Sequence, residues 1–335
     1  MSEVVTSDCL RIAIVGAGIS GSTLLHTLKR LLLAIDVDVS LELFDQGRGA
    51  GGRTSTRFAT IDSFTTGCKF DHGCQFFRAD TPIVQPIVQD WVEKGWEKKW
   101  EGRHIAGPSE TGDIIHPSEE FFGLPSQPSV YVSSKGGLHN IARDLIEDSL
   151  QGGGLRTTTI HFGVRVEEMQ YNEETKKWKF YGKGGRAALH DTPEEEAKQA
   201  QKYNLHEGRH DGFDVVVVTD ISSCFENWHR ASAGVPEDFS TRVRQRAGSR
   251  VPLFTAMISF KNSLDLNCSS ITFSSRDSKV VWFAAQMNSK VLKSQKRYSH
   301  PIFFLLFILI FCLDFRFCCL GSLDAKIFRV SAGQL

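Results

Sequence analysis

The stretch Leu10-Arg11-Ile12-Ala13-Ile14-Val15-Gly16-Ala17-Gly18-Ile19-Ser20-Gly21 decides the fold of this chain. LRIAIV is a short apolar run rich in β-branched side chains, the pattern of a strand buried on both faces. GAGISG then has the form GxGxxG. Its first glycine permits a tight turn, its second lets backbone approach a pyrophosphate, and its third lets a helix pack closely on the strand. A helix starting here turns unpaired N–H groups and the positive end of its dipole toward an anion. Residues 16–34 predict that helix, and residues 37–44 (VDVSLELF) alternate with period two and predict a second strand. A right-handed crossover makes the two strands parallel neighbours. Asp45 ends the second strand, 24 positions after Gly21, where a carboxylate accepts hydrogen bonds from ribose hydroxyls. Gly16, Gly18, Ile19, Ser20, Gly21 and Asp45 are therefore candidate dinucleotide-binding residues.

Composition narrows the remaining classes. The 335 residues are enough for one large domain or two ordinary ones. With 39 basic against 39 acidic residues and 41% hydrophobic content, neither wholesale disorder nor an overall field for nucleic acid is expected. The eight cysteines show no CxxC pair, and the opening MSEVVTSDCL lacks the apolar core of a secretory signal. Free thiols and a cytoplasmic location are expected.

Further along, residues 47–73 are rich in Gly, Thr, Ser and Arg without periodicity and predict a long loop. Residues 82–100 predict a helix, 102–128 an irregular stretch, and Lys135-Gly136-Gly137 the start of another helix. IHFGVRVEEM and KWKFYG, joined by YNEETKK, predict a hairpin. Residues 184–212 read as a solvated insertion, and FDVVVVT (213–219) as a strand returning to the sheet. Residues 253–260 and 279–286 predict strands of a mixed sheet in a second domain. Trp91, Trp96 and Trp100 read as packing residues.

After the acidic strand end comes Arg48-Gly49-Ala50-Gly51-Gly52-Arg53. Its paired glycines allow the loop to fold back, and Arg53 can supply charge-assisted hydrogen bonds to a pyrophosphate. With Phe70-Asp71-His72-Gly73-Cys74-Gln75-Phe76-Phe77, this run resembles the renalase-like branch of the flavin-dependent amine oxidase-type proteins. Gly136-Gly137-Leu138 is similar to the family's GGM-type element. Asp45 departs from the glutamate more usual there, keeping the carboxylate.

The resemblance implies FAD bound by an α/β protein: a Rossmann-like, doubly wound FAD domain with a second, smaller mixed-sheet substrate domain. It adds Arg48, Gly52, Arg53, Gly73, Gln75 and Val166 to the cofactor residues, with Asp71, Gly73 and Gln75 facing the isoalloxazine and Val166 on the strand that meets adenine. The implied domain division is 1–80 and 136–220 for FAD, 81–135 and 221–290 for substrate, and 291–335 as an apolar tail. The implied activity is hydride transfer from an amine or a reduced nicotinamide-type substrate to the flavin, with dioxygen as electron acceptor. The partner is then a small molecule, possible catalytic side chains are not singled out, and no metal is expected because Cys68, His72 and Cys74 match no common zinc spacing.

Against this stands the reading of a catalytically incomplete flavoprotein-fold chain. After Lys290 the family's final Gly-Asp segment is not found, and residues 302–313 (IFFLLFILIFCL) are twelve unbroken apolar residues, short of the roughly 20 of a spanning helix. Residues from about Val291 onward are expected not to be the natural end of the fold. Read-through of noncoding sequence, a membrane anchor reaching Leu320 and a core helix are the three readings of that tail.

Overall fold

The computed structural model describes residues 9–35, 38–58, 69–101, 104–106, 130–151, 157–184, 211–220, 227–228, 232–236, 238–247, 255, 257–260, 268–272, 283–287 and 325–328. In chain order its elements are β1 (Leu10–Val15), α1 (Ile19–Ala34), β2 (Val39–Asp45), β3 (Thr56–Phe58), β4 (Lys69–Asp71), β5 (Phe77–Arg78), α2 (Val84–Glu93), β6 (Glu97–Lys99), β7 (His104–Ala106) and β8 (Val130–Ser133). There follow α3 (His139–Leu150), β9 (Thr157–Phe162), β10 (Val164–Asn172), β11 (Lys177–Gly184), β12 (Asp211–Phe213), β13 (Val215–Val218) and α4 (Phe239–Ala247). The last strands are β14 (Met257–Phe260), β15 (Ser270–Thr272), β16 (Phe283–Ala285) and β17 (Ala325–Phe328). The chain forms two compact units, Met1–Gly52 with Ile141–Arg250, and Arg53–Asn140 with Val251–Leu335.

The first unit is built on a parallel sheet of order β13-β1-β2-β9. Its two faces are both apolar, as a parallel sheet requires. Ile12, Ile14, Leu41 and Leu43 pack on one face against Leu25 of α1 and Ile146 of α3. Ala13, Val15 and Phe44 pack on the other against Val166, Phe180 and Phe213 of the antiparallel sheet β10-β11-β12. The unit is thus layered helix, parallel sheet, antiparallel sheet. Full burial of Leu25, Leu41 and Leu43 stabilises it by about 1.5–3 kcal/mol each. A polar ladder interrupts this interior: buried Glu42 accepts from Arg11 Nη2 at 2.7 Å and pairs with His161 Nε2 at 2.9 Å.

Three predicted elements are divided differently in the structure. The run IHFGVRVEEM is two strands, because Gly163 has φ +73° and breaks it; β9 joins the parallel sheet beside β2, and only β10 and β11 make the hairpin. FDVVVVT is broken at Asp214, whose carboxylate accepts the Arg11 N–H at 2.9 Å, so Phe213 and Val215 serve different sheets. Within residues 82–100 the helix covers only Val84–Glu93, ending before Gly95 with φ +71°, and β6 follows.

In the second unit, β5-β8-β6 is antiparallel, and β15 pairs antiparallel with β16 but parallel with β7. Of the two strands predicted for a mixed sheet, residues 279–286 supply β16 to this one, whereas residues 253–260 supply β14, which belongs to a different sheet. The predicted loop 47–73 contains the antiparallel pair β3–β4, and β14 pairs antiparallel with β17. The insertion at 185–210 and the apolar stretch 302–320 lie outside the described residues. Among the described residues no helix is long and apolar enough to cross a membrane.

Candidate dinucleotide-binding site

The site in the first unit starts where β1 runs into α1. Gly16 has φ +107°, and its N–H donates to Phe44 O at 2.7 Å. A Cβ on Gly21 would lie 1.7 Å from Gly16 O, so the third glycine of the fingerprint is fixed by helix-on-turn packing. Gly18 differs: a Cβ there would meet only Gly51 O, at 3.9 Å. Space is therefore left beside Gly18, and Gly18 caps α1 without any side-chain hydrogen bond. The first-turn N–H groups, on the half-buried Ile19, the exposed Ser20 and the buried Gly21, have no acceptor within the helix. This is the cradle that an anionic phosphate group fits.

Asp45 closes the turn from the end of β2. Its Oδ2 accepts the Ala17 N–H and its Oδ1 the Gly47 N–H, both at 2.6 Å. Each oxygen keeps a second lone pair for a hydroxyl donor. Burial pushes the Asp45 carboxyl above its usual range; the two N–H bonds oppose this, and the Asp220 charge adds to it. Gly16, Asp45, Gln46, Arg165, Val166 and Asp220 line one small pocket, with Val166 buried on β10.

The RGAGGR run begins against the same turn. Gly51 N–H donates to Ala17 O at 2.9 Å, and a Cβ on Gly52, at φ +54°, would stand 3.4 Å from Gly18 Cα. Arg48 is exposed. Arg53 opens the second unit with an exposed side chain, and its carbonyl accepts the Cys74 N–H at 2.9 Å. A Cβ on Gly73 would come 2.1 Å from Arg53 O, which requires glycine there.

Gln75 is buried and its amide donates to Asp71 O. Asp71 is buried as well; its Oδ1 accepts from Thr56 Oγ1 at 2.7 Å and from Leu138 N–H at 2.8 Å. Asp71 thereby braces the Gly136-Gly137-Leu138 turn at the start of α3. Burial presses His72 below the usual histidine range, with the Arg57 charge adding to the effect. Trp91 and Trp100 are buried, near Phe77 and Phe76 respectively.

Structure adds Thr219 and Asp220, which the sequence reading did not single out. Thr219 Oγ1 donates to Val15 O at 2.9 Å and Gly16 O at 3.1 Å. The available signal was the polar pair ending an apolar strand that lies beside β1. Among the described residues no group of three or more His, Cys, Asp or Glu is arranged to hold a metal.

Strand, glycine turn, helix and acidic strand end define a Rossmann-like dinucleotide-binding domain in a mixed α/β protein, which suggests an oxidoreductase. Residues 14–91 match the family described as NAD(P)-binding Rossmann-like domain. A similar solved fold is the crystal structure of the PF1083 protein from Pyrococcus furiosus, with a TM-score of 0.54 and 10% identity, covering 90% of this chain and 80% of that one. Among curated proteins none matches this chain.

Proposed function

We propose that the chain binds FAD and is an FAD-dependent oxidoreductase of the renalase-like, amine oxidase type. The observation that carries the reading is the open space beside Gly18 facing an uncapped helix N-terminus, with the Asp45 carboxylate and Gly52 set around the same turn. In this reading Gly16, Gly18, Ile19, Ser20 and Gly21 hold the pyrophosphate through backbone N–H groups. Asp45 accepts from ribose hydroxyls, and Val166 borders the adenine. Arg48, Gly52 and Arg53 serve the phosphates, while Gly73 and Gln75 serve the ring end of the cofactor.

When bound, the flavin supplies the redox chemistry, taking a hydride equivalent from an amine or a reduced nicotinamide-type substrate and giving electrons to dioxygen. The chain's own contribution is positioning and electrostatics. Asp45 keeps the turn closed while offering acceptors, and the α1 N-terminus offsets phosphate charge. A nicotinamide dinucleotide in the same loop is the second reading, favoured by the family match over residues 14–91.

Anaerobic mixing of the purified chain with primary amines and with dihydronicotinamide isomers tests the proposal. Bleaching of the flavin absorbance by at least one donor, and its return on admitting air, is expected. A flavin-loaded chain reduced by neither class would remove the proposed activity.

A further inference from the structure

We infer that Thr219 is a positioning residue of the dinucleotide site, fixing the peptide planes of the glycine turn so that N–H groups and not carbonyl oxygens meet the phosphates. The inference rests on the reading of that turn as a dinucleotide site. Thr219 closes β13, which lies parallel to β1 with Val218 opposite Val15. Its N–H donates to Val15 O at 2.8 Å. The single hydroxyl proton is shared between Val15 O at 2.9 Å and Gly16 O at 3.1 Å.

The Gly16–Ala17 peptide unit is therefore held at both ends. Its oxygen is taken by Thr219 Oγ1, and its N–H by Asp45 Oδ2 at 2.6 Å. Because the peptide is planar, fixing both ends fixes its orientation. The following carbonyl, of Ala17, is held by Gly51 N–H at 2.9 Å. Two successive carbonyls of the fingerprint are thus engaged from chain segments far apart in sequence. An unengaged carbonyl oxygen beside a phosphate would repel it, and low local dielectric would magnify that repulsion. The glycines also fit the hydroxyl: a Cβ on Gly16 would stand 2.6 Å from Thr219 Oγ1, and one on Gly21 3.0 Å from it.

Thr219→Val keeps the branched shape and removes the hydroxyl, and Thr219→Ser keeps the hydroxyl and removes the methyl. Titration calorimetry with ADP, with FAD on cofactor-stripped protein, and with adenosine as the phosphate-free probe separates the roles. Thr219→Val is expected to weaken ADP and FAD by about tenfold, or 1.4 kcal/mol, with adenosine affinity nearly unchanged. Thr219→Ser is expected to bind ADP within about twofold of the parent, and it carries the test alone if Thr219→Val does not fold. Loss of ADP binding in the folded serine variant, unchanged ADP binding in the valine variant, or equal loss of ADP and adenosine would overturn the inference. A parent chain that binds neither ADP nor FAD would instead overturn the underlying site reading, a result distinguishable because it precedes any substitution.

Discussion

Asp45 and Thr219 grip opposite ends of one peptide unit, the carboxylate taking the Ala17 N–H at 2.6 Å and the hydroxyl meeting Gly16 O at 3.1 Å. The turn that enters α1 is therefore shaped by the ends of both strands that flank β1.

The glycines of the fingerprint are expected to separate by substitution. Gly21→Ala drives a methyl onto Gly16 O and should destabilise the first unit by about 1–3 kcal/mol. Gly18→Ala meets nothing closer than 3.9 Å, so its urea midpoint should stay near the parent's while FAD affinity falls by about tenfold. Equal stability losses in the two variants would contradict this.

Asp45→Ala leaves the Ala17 and Gly47 N–H groups without their acceptor, each costing about 1–3 kcal/mol if no water replaces it. The pH dependence follows from the raised carboxyl. A group whose folded pKa lies above its unfolded value adds stability that is fully present below the unfolded pKa and is lost as pH rises through the folded one. Urea melts of the cofactor-free protein should show this fall between the ordinary aspartate range and the raised value. Asp45→Asn should lack it.

Gly73→Ala is expected to destabilise the second unit, because its methyl would overlap Arg53 O. Asp71→Asn keeps an acceptor oxygen but replaces charge-assisted bonds by neutral ones, and should loosen the Gly136-Gly137-Leu138 turn at a cost of about 1 kcal/mol. Gln75→Ala should change flavin absorbance or its reduction rate more than stability. Hydrogen exchange at the Leu138 amide reads the second effect, which should appear in Asp71→Asn and be absent from a remote control.

Lys29 is buried in α1 and donates to Ser149 O and, at 3.2 Å, to Gln151 O, closing the C-terminal end of α3. Lys29→Met retains the apolar stem and leaves these carbonyls without that donor. A loss of about 1–3 kcal/mol in denaturant melts is expected, with dinucleotide affinity unchanged.

The parts of the site legible in the sequence are those whose constraints are local. Gly16, Gly18 and Gly21 announce a turn, an approach and a close packing within six residues, and Asp45 follows one strand later. Gly163 and Asp214 were not legible as breaks. At each, the chain changes sheets, and which sheet receives a β-rich run is decided by tertiary pairing and not by its alternation. The bond from the Leu138 N–H to the Asp71 carboxylate, 67 residues apart, was equally hidden, because nothing local to the Asp71 run announces it. Thr219 was hidden for the same reason: its partner Gly16 lies 203 positions earlier, and only the order β13-β1 brings them together.

On the proposed function, the glycine turn holds FAD. The most direct measurement is to purify the folded chain, denature it, and identify the nucleotide released by fluorescence and mass spectrometry. Near-stoichiometric FAD, lost in Gly18→Val, is the predicted result. Release of NAD or NADP, or of no nucleotide from a cooperatively folded sample that also fails to take up added FAD, would contradict it.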